Sequence, residues 1–112
     1  MQNRLPALKQ GIQQTKARSA SYHITGAESG CAYSNVGATG AITLTLPKAT
    51  VGEEFWFYVN VAQTVTVTAQ SSDSIGTKTA GSSYAIGTAG SFMWVKCFIA
   101  GKWTLAINSG FA

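Results

Sequence analysis

The sequence predicts an all-β fold: an antiparallel β-sandwich or jelly-roll-like domain behind an extended or partly helical N-terminal arm. Three observations predict it. From Ser21 onward, apolar residues alternate with Thr and other polar residues at period two. Glycine-rich turn signals recur about every 8 to 12 residues, a spacing typical of sandwiches. No segment of the body carries a helical period. These signals divide the chain into an arm, residues 1–20, and a single β domain, residues 21–112.

In the arm, Leu5, Leu8 and Ile12 recur at helical spacing, and Pro6 is tolerated in a first helical turn. Gly11 opposes a helix by about 1 kcal/mol relative to alanine. The arm therefore reads either as a disordered tail or as a segment that orders when its Leu/Ile stripe and its cations meet a surface.

The first strand of the body is expected at Ser21–Thr25, before the turn glycines Gly26 and Gly30. The second runs from Cys31 to Asn35. Ile42, Leu44 and Leu46 alternate with Thr43 and Thr45, and Pro47 ends that strand. Phe55, Phe57, Val59 and Val61 form one face of the next strand, with Trp56, Tyr58 and Asn60 on the other. Val65 and Val67 follow after only Ala62-Gln63, a length that fits a tight hairpin or a bulge. Residues 71–90 are Ser/Gly/Thr-rich, with Ile75 and Tyr84–Ile86 as short edge strands. Phe92–Ile99 is the most apolar strand, and Ala100-Gly101 turns it into Trp103, Leu105 and Ile107. No internal repeat is evident.

Charge is distributed unevenly. The chain has 112 residues, eight Lys and Arg, four Asp and Glu, and a net charge of +4. Arg4, Lys9, Lys16 and Arg18 all lie in the arm, which has no acid. The body is neutral, with Lys48, Lys78, Lys96 and Lys102 against Glu28, Glu53, Glu54 and Asp73. A nucleic-acid-binding domain concentrates its cations on a folded face, so nucleic acid is a disfavoured partner. No apolar run approaches the roughly 20 residues of a membrane helix, and no secretory signal is recognisable at the start. Cys31 and Cys97 are expected as free thiols in a protein made in the cytoplasm.

The candidate chemistry is thin. One histidine and two distant cysteines do not make a metal site, and His23 on its short strand reads as structural. Glu53 and Glu54 are adjacent, so a strand points them to opposite faces, unlike the paired carboxylates of a glycosidase. Gly87-Thr88-Ala89-Gly90 lacks the lysine and helix of a phosphate loop. The sequence therefore predicts no enzyme, no cofactor and no metal. The more informative constellation is aromatic. If Phe55, Phe57, Val59 and Val61 face the core, then Trp56 and Tyr58 face out; if Met93, Val95, Cys97 and Ile99 face in, then Phe92, Trp94, Lys96 and Phe98 face the other way. That set is either buried by a second layer, or an oligomer or partner face, or a sugar-stacking platform.

The run Tyr33-Ser34-Asn35-Val36-Gly37-Ala38-Thr39-Gly40-Ala41-Ile42-Thr43-Leu44-Thr45-Leu46-Pro47 carries a resemblance. It continues in Val51-Gly52, Phe55 and Phe57, Ala62-Gln63, Asp73-Ser74-Ile75-Gly76, Gly90, Val95 and Cys97, and Gly101-Lys102-Trp103. This pattern resembles a small β module of tailed-bacteriophage virion proteins, found both in capsid decoration (cement) proteins and in tail fibres or spikes. It covers roughly Tyr33 to Leu105; the arm lies outside it. A short chain without collagen-like or coiled-coil repeats is more similar to the decoration members. The resemblance implies a non-enzymatic structural protein on the capsid surface of a virion. It would bind the major capsid protein as a homo-dimer or homo-trimer and stabilise the shell by bridging subunits. Arg4, Leu5, Leu8, Lys9, Ile12, Lys16 and Arg18 would then contact the capsid. The alternative is a receptor- or carbohydrate-binding module of a tail fibre or spike.

Overall fold

A computed structural model describes residues 14–107, which form an all-β, two-layer sandwich. The strands are β1 (Gln14–Ala17), β2 (Tyr22–His23), β3 (Cys31–Ser34), β4 (Ile42–Thr45) and β5 (Glu54–Tyr58). They continue as β6 (Val65–Thr68), β7 (Ser74–Ile75), β8 (Ser83–Ile86), β9 (Phe92–Ile99) and β10 (Lys102–Ile107). One sheet has the order β1-β3-β5-β9-β10-β7 and the other β2-β4-β6-β8.

The path is a flattened coil. Through the first six strands the chain changes sheet at every step, so β1, β3 and β5 stack in parallel in one layer. Strands β2, β4 and β6 do the same in the other. Strands β8 and β9 close the coil with reversed direction, β8 antiparallel to β6 and β9 to β5, and β10 then returns antiparallel to β9. Strand β7 finishes the larger sheet in parallel with β10.

The sandwich expected from the alternation is therefore present, but its sheets are mixed rather than antiparallel. The jelly roll expected from the same pattern is replaced by a coil. Period two reports only that a strand buries one face; it is silent on the direction of its neighbour. The expected hairpin at Ala62-Gln63 is also absent, because β5 and β6 belong to different sheets. A two-residue hairpin needs positive φ at one or both turn positions, and among the described residues every positive-φ position is a glycine. A third difference concerns the arm. Its residues 14–17 form β1, hydrogen-bonded alongside β3, so the sheet starts inside the segment read as separate. Residues 1–13, with the helical stripe of Leu5, Leu8 and Ile12, lie outside the described residues.

The core lies between the layers and takes one face of each central strand. Phe55, Phe57, Met93, Val95 and Trp103 project from the larger sheet, and Ile42, Leu44, Val65 and Val67 from the smaller. Tyr33 ties the aromatic part together, with ring centroids 6.3 Å from Phe55 and 5.9 Å from Phe57. Trp103 meets Phe55 edge-on at 5.8 Å. Ile99, expected inside, is 63% exposed because it lies at the end of β9, beyond the core. Cys31 and Cys97 are buried and free.

The arch from β5 to β6 is held by a side chain from the preceding turn of the coil. Asn35 is fully buried. Its Oδ1 accepts the backbone N–H groups of Asn60 (2.7 Å) and Val61 (3.0 Å). Its Nδ2 donates to the carbonyls of Val61 (2.9 Å) and Gln63 (3.2 Å). These backbone groups have left both sheets, and a buried polar group without a partner is costly. Asn35→Ala is therefore expected to lower unfolding free energy by about 3 kcal/mol in urea titration. Asn35→Asp, which retains the acceptors but loses both amide donors, should also destabilise the fold.

Candidate interaction face

The outer face of the larger sheet is built from two neighbouring rows. Register places Thr15, Ala32, Trp56, Trp94 and Ala106 side by side across β1, β3, β5, β9 and β10. The next row sets Ala17, Ser34, Tyr58 and Phe92 side by side. Bulky aromatics thus fill the centre of the sheet, while β1 and β3 carry small side chains. The difference in height leaves a groove of about 510 Å³, lined chiefly by Ala32, Val36, Trp56, Tyr58, Asn60 and Phe92.

Within this face the Trp56 and Trp94 rings lie 6.5 Å apart, tilted by 37°. The Trp94 indole N–H donates to Glu54 Oε1 at 3.2 Å, and Lys96 Nζ lies 3.9 Å from the same oxygen. Trp56 and Trp94 are half-buried, whereas Tyr58 is 45% and Phe92 40% exposed. Four of the five expected face residues therefore form one cluster. Phe98, the fifth, shares their face but lies beyond the Glu54–Lys96 pair, with Lys96 Nζ 5.7 Å from its ring centroid. The second layer does not bury this face, because it packs on the opposite side.

The arm residues fare differently. Arg4, Leu5, Leu8, Lys9 and Ile12 lie outside the described residues. Lys16 and Arg18, expected to meet an acidic partner surface, are instead engaged within the chain by Glu28. Lys16 Nζ is 3.3 Å and Arg18 Nη2 3.7 Å from Glu28 Oε2. The Tyr22 hydroxyl donates to that oxygen at 2.9 Å, and the Thr25 N–H donates to Oε1 at 2.9 Å. Arg18 also stacks over Tyr22, with its guanidinium carbon 3.7 Å from the ring centroid. Glu28 sits at the end of a single 3-10 turn, Gly26–Glu28, and so reaches back to its own cap. Sequence reasoning missed this anchor; the one hint was Thr25 three residues before Glu28, a capping-box spacing.

The remaining candidates lie apart from one another. His23 is exposed on β2. Asp73 is buried, and its Oδ2 accepts the Ala49 N–H at 2.7 Å. Glu53 and Glu54 do diverge: Glu54 joins the aromatic face, while Glu53 tucks against Gly26, where a Cβ would meet its carboxylate. Burial pushes the Glu53 carboxyl above its ordinary value, and its buried Oε1 has no hydrogen-bond partner. Among the described residues no group of three or more His, Cys, Asp or Glu is placed to hold a metal ion. No known protein family and no curated protein matches this chain.

Two predictions follow from the carboxylates. Burial pushes the Glu28 carboxyl up, but the Thr25 N–H, the Tyr22 hydroxyl and Lys16 outweigh it and hold the group below its ordinary value of 4.5. A depressed acid stabilises the fold above its unfolded pKa, and that contribution is lost as pH falls through the folded value. Hydrogen-exchange protection of β1 should therefore be constant near neutrality and fall at acid pH, whereas Glu28→Gln should weaken it near neutrality, with the difference from the parent shrinking in acid. Glu53 has the opposite sign: its raised pKa costs stability above the folded value, and protonation relieves that cost as pH falls. Glu53→Gln should raise Tm at pH 7, with the gain shrinking in acid.

Proposed function

We propose that this protein is a non-enzymatic decoration, or cement, protein of a tailed-phage capsid, binding the outer shell and bridging capsid subunits. The observation that carries this reading is the aromatic face of the larger sheet. Trp56, Tyr58, Phe92 and Trp94 stand together across β5 and β9, bordered by Glu54 and Lys96, whose charges pair. Aromatics clustered in a charge-poor patch are the composition of protein-interface cores. The arm reaches the same sheet: residues 1–13 lead directly into β1, whose Thr15 borders the groove. Face and arm thus supply adjacent contacts. The face would join copies into a dimer or trimer or seat the domain on the major capsid protein. Arg4, Leu5, Leu8, Lys9 and Ile12 would extend across neighbouring subunits. An exposed ion pair contributes only about 0–1 kcal/mol, so grip would come from apolar anchors and from the avidity of repeated copies.

Quantitative mass spectrometry of purified particles tests the reading. Hundreds of copies, in a simple ratio to the major capsid protein, are expected; a few dozen or fewer would contradict it. Deleting residues 1–13 should abolish capsid binding while leaving the sandwich folded, whereas a longer deletion would remove β1 itself. The groove also favours a second reading, a carbohydrate- or receptor-binding module of a tail fibre or spike, because Trp56, Tyr58 and Asn60 all line it. That reading requires glycan affinity that falls on Trp56→Ala without loss of fold.

A further inference from the structure

We infer that the outer face of the larger sheet is complementary to itself and docks a second copy of this chain. The two copies are related by a two-fold axis that runs along the strands between β3 and β5. The partner so named rests on the reading of this face as an interaction surface, and it is tested in solution, without particles.

The face has the relief of a single step. Across one row, Thr15 and Ala32 on β1 and β3 are followed by Trp56 and Trp94 on β5 and β9. Across the next, Ala17 and Ser34 are followed by Tyr58 and Phe92. Two strands of small side chains thus adjoin two strands of large aromatic ones, and the groove of about 510 Å³ lies at the foot of the step. A step turned by 180° about its own edge is the inverse of itself. Each copy then sets its high half over the low half of the other, so that β5 faces β3 and β9 faces β1. Rotation about an axis along the strands leaves every level unchanged. Trp56 therefore comes over the partner subunit's Ala32, and Tyr58 over the partner subunit's Ser34. The strands of the two sheets stay nearly aligned, as sheets packed face to face require.

Composition agrees with relief. No charged side chain lines the groove, and the cations in and beside β1, Lys16 and Arg18, are turned to Glu28. On the high half Glu54 and Lys96 pair with each other. Tyr58 also brings a phenol able to donate to the serine hydroxyl it meets. A flat partner would leave the low half unfilled, whereas the two-fold copy fills it with Trp and Tyr, the side chains typical of interface centres. Size sets the strength. Four strands of four to eight residues, about 4.8 Å apart, give less than the roughly 800 Å² a side of a lasting dimer. The contact is thus reversible, and its two-fold symmetry closes it at two copies.

Analytical ultracentrifugation of the full chain over a range of concentrations tests this, with Ser34→Tyr and the double variant Ser34→Tyr/Tyr58→Ser. The parent is expected to pass from monomer to dimer. Ser34→Tyr fills the low half and should weaken the dimer about tenfold or more, at an unchanged Tm. The double variant exchanges low for high at that level in both copies and should recover most of the lost affinity. A parent that stays monomeric at millimolar concentration would overturn the inference. So would equal association by the parent and Ser34→Tyr, or no recovery in a folded double variant. If a variant does not fold, the parent alone decides, in a mixture of isotope-labelled and unlabelled chains. Nuclear Overhauser contacts between copies from Tyr58 to Ser34, or from Trp56 to Ala32, support the two-fold; contacts confined to other residues overturn it. A monomer present in hundreds of copies per particle removes only the dimer, and a dimer absent from particles removes only the virion reading.

Discussion

Asn35 stands at the corner where one turn of the coil hands over to the next, and its side-chain amide satisfies four backbone groups of the β5–β6 arch at once. A chain that changes sheets at every step through its first six strands must repeatedly carry backbone through a region with no ladder to receive it. Buried backbone polar groups in such a corner need a partner from elsewhere. Asparagine suits the task because it carries acceptor and donors on one short, neutral side chain. With that corner fixed, β6 lies parallel to β4 and its valines meet the core. The arch is thus held by the rung before it, and the parallel stack is a single cooperative object rather than a set of independent hairpins.

This path also determines what is left for function. The coil places all core residues between its two layers, so the alternate residues of every strand must look outward. On the smaller sheet they are mostly Thr, Ser and Ala: Thr43 beside Thr66 and Ala85, and Thr45 beside Thr68 and Ser83. On the larger sheet they are aromatic at β5 and β9. The two outer surfaces therefore differ in kind, and only the aromatic one holds enough apolar bulk to drive association. The groove arises from a contrast between strands, with Ala32 and Ser34 on β3 against Trp56 and Tyr58 on β5. Electrostatics are kept local. Glu28 gathers Lys16 and Arg18 near the root of the arm, and Glu54 gathers Lys96 and the Trp94 indole.

Much of the local structure was legible in the sequence. The strands around Ile42–Leu46, Phe55–Phe57, Val65–Val67, Phe92–Cys97 and Trp103 follow from alternation, and so does the pointing of Trp56, Tyr58, Phe92 and Trp94 away from the core. Burial of one face by a period-two segment is a local rule, and local rules can be read one strand at a time. Strand β1 escaped because Gln14-Thr15-Lys16-Ala17 has neither apolar alternation nor turn signals. It is a strand because β3 offers it a ladder. The engagement of Lys16 and Arg18 escaped for the same reason: Glu28 meets them only when β1 has been laid beside β3.

What the amino-acid sequence determined by itself is the two-layer β character, the identity of the core and the aromatic composition of one outer face. Each depends on side-chain periodicity, which is written along the chain. What only the tertiary structure decided is which strands are neighbours, in which direction they run, and hence that small residues on β3 border large ones on β5 to make a groove. Backbone ladders accept parallel and antiparallel partners at similar energy, so alternation cannot choose between a hairpin and a coil. The coil leaves buried backbone groups at its corners, and at the β5–β6 corner the amide of Asn35 satisfies them.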